Sequence, residues 1–487
     1  MTFDLPAQVR RQLDNGGASQ AVAHLGRWRS WSWLKRAGEL IDEAVGEAGA
    51  VGLVARNRPH HLAAYGANLA DQRTTVMLPA AYSPAGLAAE IERLRLPAII
   101  ADREDWSDVA LAAARRVGSA AIATDEHSEA SWVERLVAPG DGPFRAEERD
   151  TALELPTSGT TGAPKLIALS WTCVSHVVES AGASYAGALA TEAPQIMAHP
   201  LGNVSGLAYA TPPLAFGRRL VLLERFAPRA WAEAVRDFQP TRASLPPAGV
   251  RMLLDSDVPS AWLSSLTLVA VGGGGLGLDL KAAFEARFGV PILPAYGATE
   301  FGGVVANWSL PLHREWGPRK PGSAGRPSPG VELRVADHET HLELGPGEPG
   351  LLEVKVARIS ASWTRTSDLA SIDADGFLFL HGRADGAINR GGFKIVPDEL
   401  AKILASHPAV ADAAIVGVPD RRLGEAPVAA VELKPGAQAA PQELKAWLRD
   451  RVAAYQLPVE IRILEALPRN ASLKVELHLV RALFASA

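Results

Sequence analysis

One stretch gathers groups able to hold an anion: Leu155-Pro-Thr-Ser-Gly-Thr-Thr-Gly-Ala-Pro-Lys165. Between Thr157 and Gly162, the hydroxyls of Thr157, Ser158, Thr160 and Thr161 are interleaved with Gly159 and Gly162, and Lys165 follows. Glycine lets backbone N–H groups turn tightly and approach a ligand closely. Successive N–H groups, hydroxyls and one ammonium then form a cradle for an oxyanion, above all a polyphosphate. The spacing is not G-x-x-x-x-G-K-[ST], since Gly159 and Gly162 stand too close and Leu166 follows the lysine. The plainer alternative is a polar loop joining two strands.

Two more stretches place chemistry at strand ends. Leu266-Thr-Leu-Val-Ala-Val271 runs into Gly272, Gly273, Gly274 and Gly275. Bare backbone at the carboxyl end of a strand lies where open α/β sheets bind ligands, although a flexible turn has the same composition. Ile292-Leu-Pro-Ala-Tyr-Gly-Ala-Thr-Glu300 brings a phenol (Tyr296), a hydroxyl (Thr299) and a carboxylate (Glu300) into one turn.

The elements that position these groups read as alternating strands and helices. Residues 20–50 are expected to be helical, with Trp33, Leu34, Ala37, Leu40, Ile41 and Val45 at helical spacing. Apolar runs at 50–55, 74–78, 98–101, 220–223, 242–245 and 266–271 suit short buried parallel strands. Helices are expected from Pro59, over 84–94 and over 170–190, and residues 196–207 read as a strand running into a turn. Between them, 125–150 is an acidic connection without pattern. Residues 321–382 are dense in Gly and Pro with short β runs, which implies an antiparallel β subdomain. From 388 to 487 a small unit has its own order: helix at 397–406, strands at 410–418 and 427–433, helix at 441–453, strand at 460–464. The expected fold is α/β: a large N-terminal domain (1–382) of layered, mostly parallel sheets, a hinge at 383–387, and a small mobile α+β domain at 388–487.

Composition bounds the function. A chain of 487 residues with 47% hydrophobic and 21% charged residues is globular and exceeds one ordinary core. A formal net charge of −5, with no basic tract interleaved with aromatics, gives no reason to expect nucleic acid. The single cysteine, Cys173, excludes an internal disulfide framework and reads as a buried small hydrophobe. Trp28, Trp31 and Trp33 read as packing. With no signal-peptide pattern and no apolar run of membrane-spanning length, a soluble, cytoplasmic protein without an integral membrane segment is expected.

Side by side, these motifs resemble the adenylate-forming superfamily of acyl-CoA synthetases, peptide-synthetase adenylation domains and beetle luciferases. The resemblance spans nearly the whole chain. Thr157–Lys165 is similar to the family's signature loop. Tyr296-Gly-Ala-Thr-Glu300, Arg365-Thr-Ser-Asp368 and Gly382-Arg-Ala-Asp385 are similar to its nucleotide and hinge motifs. Ile388-Asn-Arg-Gly-Gly-Phe-Lys-Ile395 is similar to the small domain's glycine strip, and Leu467-Pro-Arg-Asn-Ala-Ser-Leu-Lys-Val475 to its terminal lysine loop.

The resemblance implies ATP-dependent activation of a carboxylic acid, followed by transfer to a thiol. It implies that Thr157, Ser158, Gly159, Thr160, Thr161, Gly162 and Lys165 hold phosphates. Glu300 binds Mg²⁺ and Thr299 touches the α-phosphate. Tyr296, Gly297, Ala298 and the backbone of Gly273, Gly274 and Gly275 flank adenine, while Asp368 and Arg383 take the ribose. Lys474 is the mobile cation, Asp385 the hinge, and Gly391 and Gly392 line a pantetheine arm of coenzyme A, with Lys394 near a CoA phosphate. Asn203, Val204, Gly272, Ala298 and Val304 are expected in the acyl pocket, with Leu207, Phe301 and Val305 as further apolar neighbours. Gly202, Gly206 and the glycine run are expected to leave room there. No acid lies in 199–206, so an α-ammonium would be left without a partner, and a bulky apolar or aromatic acid is expected. Three departures stand out: Pro200-Leu-Gly-Asn203 ends in an amide where the family carries a histidine, Ser367 replaces a glycine, and Leu473 replaces the glycine before the lysine. The acceptor alternatives are coenzyme A and an acyl carrier protein; luciferase-like oxidation of the adenylate and a non-catalytic nucleotide-binding homologue are the others.

Overall fold

The computed structural model describes residues 3–484 apart from 81, 126–131, 147, 149, 158–164, 184–192, 358, 361, 385, 391–392 and 421. It divides into two compact units. One comprises Met1–Gly159, Ala163–Ala243 and Ala298–Gly303; the other is chiefly Ser244–Gly297 and Val304–Ala487.

The first unit is built on a seven-stranded sheet. Its spatial order is Trp132–Val137, Ala120–Asp125, Ala98–Asp102, Ala50–Ala55, Thr74–Pro79, Thr151–Thr157, Lys165–Ser170. The five central strands are parallel and each edge strand is antiparallel. Strand Ala50–Ala55 is buried throughout and serves two cores at once. Val51, Leu53 and Ala55 pack with helices Trp31–Val45 and Pro59–Ala70, whereas Ala50 and Val54 pack with Pro84–Leu94 and Asp108–Val117. A side-chain period of two sends alternate residues to opposite faces, so an all-apolar strand needs a helix layer on each.

Three expectations are corrected here. Residues 20–30 are a hairpin, Gln20–His24 with Arg27–Ser30, because Val22–His24 pairs in parallel with Leu220–Leu222 from far along the chain. The helix begins only at Trp31, where the Ser30 side chain accepts the Trp33 N–H. The connection at 125–150 contributes the edge strand Trp132–Val137. The strand expected over 196–207 is only Gln195–Met197, and Val204–Phe216 is a helix. The helix after Ser170 is Trp171–Ala183. The tryptophans do pack: Trp31 is buried, and Trp28 meets Phe238 edge-on at 5.9 Å. Cys173 is buried, as its neighbours suggested.

In the second unit, Leu268–Val271 and Ile292–Ala298 pair in parallel. An antiparallel sheet follows in the order Val331–Ala336, Gly350–Val356, Thr364–Ile372, Leu378–Arg383, as the composition of 321–382 implied. The C-terminal sheet joins Phe393–Ile395, Ile388–Arg390, Gly424–Leu433 and Val410–Asp420, with Glu460–Leu464 parallel to Gly424–Leu433. Helices Pro397–Ala405 and Pro441–Arg449 cover one face, and Leu477–Phe484 the other. No helix among the described residues is long and apolar enough to cross a membrane.

Candidate active site

Thr151–Thr157 and Lys165–Ser170 form a hairpin whose last pair is Thr157 with Lys165. The hydroxyl- and glycine-rich stretch lies between these two strands in sequence; Ser158, Gly159, Thr160, Thr161 and Gly162 themselves lie outside the described residues. Lys165 opens the returning strand and is exposed. Against that strand, in the same unit, lies the 3-10 turn Thr299–Phe301. Phe301 is buried and anchors the turn, while its neighbour Glu300 faces solvent. The exposed carboxylate of Glu300 fits a hard divalent cation, since such ions need oxygen donors and keep several waters.

The Pro200–Gly206 turn departs from its expected role. Asn203 caps helix Val204–Phe216, its Oδ1 accepting the Gly206 N–H at 2.8 Å. A Cβ at Gly206 would fall 2.2 Å from the Pro200 carbonyl oxygen, so this glycine marks close packing rather than open space. Gly202 likewise has Ala55 Cβ 3.3 Å from its missing side chain. Leu207, Phe301 and Val305 belong to the buried interior, while Val204 lies near Gly303 and Val304 is exposed. The idea that Gly202 and Gly206 enlarge a pocket is therefore corrected: the turn is seated tightly, and Asn57 fixes it by accepting the Leu201 N–H and donating to the His199 carbonyl. The His199 ring lies 5.1 Å from Tyr209, and desolvation lowers its pKa to about 4, so it is neutral near pH 7.

The second unit carries the groups expected around a nucleoside. Tyr296 is buried near the end of its strand and donates its phenol to Asp368 Oδ2 at 2.5 Å. Burial, then the Asp368 charge, raises the Tyr296 pKa far above its ordinary value, so the phenol stays a donor. Asp368 is cross-strand neighbour to Arg383, whose Nη2 donates to Ser367 Oγ at 2.6 Å. The serine that replaces the family's glycine thus orients the arginine.

Lys474 meets the glycine run. A Cβ built on Gly273 would be 3.4 Å from Lys474 Cε and 3.8 Å from its Nζ. Gly273 has φ 83, so its conformation favours glycine, while Lys474 lies at ordinary contact distance. Lys402 similarly approaches Gly275, 3.7 Å from a built Cβ. Leu473 has φ 60, a left-handed conformation that glycine adopts at no steric cost. For leucine this costs about 1–2 kcal/mol. Asp385, Gly391 and Gly392 lie outside the described residues.

Sequence reasoning missed a buried charged cluster at the carboxyl ends of two central strands. Asp102 receives Arg56 Nη1 at 2.7 Å, Arg58 Nη1 at 2.9 Å and His60 Nε2 at 2.7 Å, with His61 Nε2 3.2 Å away. Arg56 also grips Asp105 with both terminal nitrogens, and Arg58 reaches Glu224. Burial opposes the charge of Asp102, but the histidine and arginine donors outweigh it and hold its pKa well below the carboxylate range. His61 Nδ1 accepts the Arg56 backbone N–H, so its remaining nitrogen carries the proton and offers no lone pair to a metal. The cluster is a brace. Its only sequence signal was the basic string Arg56-Asn-Arg-Pro-His-His61, whose acidic partners lie more than 40 residues away.

The chain matches the family model "AMP-binding enzyme" over residues 33–360 and its C-terminal domain model over 399–474. It is similar to the peroxisomal OPC-8:0-CoA ligase 1 of Arabidopsis thaliana, 31% identical over 360 residues, 68% of this chain and 64% of the relative. It is also similar to the fatty acid–[acyl-carrier-protein] ligase ScoC of Streptomyces coeruleorubidus, 29% identical over 72% of this chain and 70% of that one. Over the first three such relatives the match spans 60 to 64% of their own length. The fold coincides with that of ATP-bound MatB from Rhodopseudomonas palustris, with TM-score 0.84 at 23% identity, covering 100% of this chain and 99% of that one.

Proposed function

From the premise that this chain belongs to the AMP-binding enzyme family, we propose that it activates a carboxylic acid with ATP and passes the acyl group to the thiol of coenzyme A. The observation that carries this reading is the contact of Lys474 with Gly273 in the unit that also holds the Tyr296–Asp368 couple.

In the first half-reaction a carboxylate oxygen attacks the α-phosphorus of ATP. The α–β anhydride bond breaks, pyrophosphate leaves, and an acyl–AMP mixed anhydride remains. Two anions must meet, so cationic and dipolar groups placed where charge develops lower this barrier most. Lys474 supplies the ammonium between α-phosphate and carboxylate. Lys165 and the 157–162 loop hold the outer phosphates, and Thr299 adds a hydroxyl. Asp368 takes the ribose hydroxyls, exchanging the phenol of Tyr296 for them, while Arg383 and the glycine run border the nucleoside. Mg²⁺, held by Glu300 and waters, would neutralise and orient the triphosphate. In the second half-reaction a thiol attacks the acyl carbonyl, the bond to the phosphate oxygen breaks, AMP leaves and the thiol proton passes to solvent. Access for the thiol requires Lys474 to withdraw, by rotation of the small domain about Asp385 and Gly386, bringing Gly391 and Gly392 to the pantetheine arm.

The acid is apolar or aromatic: 199–206 carries no acidic side chain, and the neighbouring His199 is neutral, so an α-ammonium would have no partner. The likeness to ScoC favours a carrier-protein thiol as the second reading of the acceptor.

The test is carboxylate-dependent ATP–pyrophosphate exchange over a panel of octanoate, 4-coumarate, benzoate and oxalate, with coenzyme A and a phosphopantetheinyl carrier offered in turn. Exchange with an apolar acid, lost by at least 10³-fold in Lys474→Ala while thiolation of supplied acyl-adenylate survives, is expected. ATP binding without exchange for any acid would overturn the reading.

A further inference from the structure

We infer that Arg469 is a positioning residue for Lys474: it clamps a strained turn so that the lysine is presented from a left-handed leucine. The inference rests on the reading of Lys474 given above.

The turn is short and over-bonded. Arg469 and Val475 form an antiparallel bridge, and Glu476 N–H donates to the Pro468 carbonyl at 2.9 Å. Inside it, Asn470 N–H donates to the Lys474 carbonyl at 2.9 Å, and Leu473 N–H to the Asn470 carbonyl at 2.8 Å. The Asn470 side chain accepts both the Ser472 N–H at 2.9 Å and the Lys474 N–H at 3.1 Å. One group of the turn points the other way: the Leu473 carbonyl accepts Arg469 Nη1 at 3.1 Å.

Arg469 is in turn anchored to the C-terminal sheet. Its Nη2 donates to Asp412 Oδ2 at 2.5 Å and lies 3.6 Å from Glu432 Oε2. Asp412 and Glu432 are direct cross-strand neighbours, and Glu432 Oε2 also accepts the Leu467 N–H at the start of the motif. The guanidinium thus connects the sheet to the one carbonyl whose direction follows from the left-handed φ of Leu473. A β-carbon in that region is unfavourable, and such a residue persists only where its surroundings over-determine it. With glycine at this place no clamp is needed to keep φ positive. With leucine, release of the carbonyl lets the backbone relax toward negative φ and swings the next residue, Lys474, off line.

A competing account makes Arg469 only a counter-ion for two like charges that would repel across the strands. The two accounts differ in what a second substitution does. Arg469→Lys keeps the positive charge but has no planar fork to serve Asp412 and the Leu473 carbonyl together. Arg469→Met keeps the stem and removes the charge.

The experiment measures pyrophosphate exchange with the acid giving the highest parent rate, thiolation of supplied acyl-adenylate, and melting temperature. The variants are Arg469→Lys, Arg469→Met, Lys474→Ala, and Arg469→Met combined with Leu473→Gly. Expected are a 10- to 100-fold loss of exchange kcat in both Arg469 variants with little change in the KM for ATP, thiolation retained, and at least tenfold recovery of exchange in the double variant. Recovery is the decisive readout, because a lost counter-ion is not restored by glycine. Parent-like exchange in both single variants, equal loss of both half-reactions, or no recovery in the double variant would overturn the clamp. Should Lys474→Ala itself retain exchange, the role of the lysine falls instead, whatever Arg469 does.

Discussion

Asp102 ends a buried parallel strand in one unit and is met by two guanidinium groups and two imidazoles. Asp368 lies within an antiparallel strand of the other unit, is partly exposed, and accepts the phenol of Tyr296. The contrast separates a carboxylate that holds a fold from one that can exchange partners. Surrounding Asp102 with donors from four residues makes replacement by a ligand prohibitively costly. Asp368 accepts the neutral phenol of Tyr296, which a pair of ribose hydroxyls can replace at little net expense.

Breaking the first carboxylate has the largest expected effect. Asp102→Ala leaves two buried arginines short of a partner and should cost about 3–5 kcal/mol in urea unfolding. A loss below about 1 kcal/mol would remove the distinction drawn between the two aspartates.

Acid titration sharpens the comparison next. Asp102 has a depressed pKa, so its contribution is present above the ordinary carboxylate value near 4 and is lost as pH falls below it. His199, lowered from 6.5 to about 4 by desolvation, acts in a different window. The unfolded chain binds the proton first, so stability falls as pH drops from about 6.5 toward 4, by at most roughly 3 kcal/mol. His199→Phe should flatten that upper window and leave the lower one in place, as read from unfolding curves at pH 7.5, 5 and 3.5. An unchanged upper window would remove His199 as its source.

Asp368→Asn should leave stability within about 1 kcal/mol of the parent yet raise the KM for ATP about 10- to 100-fold, the scale of a charged hydrogen bond worth about 1.5–3 kcal/mol. Reduced stability with unchanged KM would place Asp368 with Asp102 as a structural residue. The smallest effect is expected for Tyr296→Phe. It removes one hydrogen bond worth about 1 kcal/mol, lowers the melting temperature slightly and changes the KM for ATP by less than tenfold.

The alternation of apolar strands and helices could be read from the chain because parallel strands covered on both faces are apolar throughout, as in Ala50–Ala55. The expected antiparallel sheet of 321–382 was equally visible in local pattern, as were helices Pro397–Ala405 and Pro441–Arg449 and strands Val410–Asp420, Gly424–Leu433 and Glu460–Leu464, whereas helix Leu477–Phe484 was not. Gln20–His24 was not. Its five residues suit a helix as well as a strand, and only pairing with Leu220–Leu222, about 200 residues away, decides between them. The site divides in the same manner. Residue type and spacing singled out Tyr296 and Glu300 in one turn, whereas Asp368 and Lys474 stood out only through their resemblance to family motifs. The glycines of 200–206 misled, because a glycine that makes room and a glycine that permits contact have the same letter.

By itself, the sequence determined which groups are present and the short-range pattern that carries them: apolar periods, glycine runs, capping hydroxyls and the ordered motifs. Tertiary structure decided which partners those groups keep. It gave Asp102 two arginines and two histidines as neighbours, gave Asp368 a phenol, turned Asn203 into a helix cap and forced Leu473 into a glycine's conformation. The physical reason is range. Backbone preference acts over a few residues, whereas the partner of a buried charge or an unpaired strand edge is set by whatever distant segment can satisfy it once water is excluded.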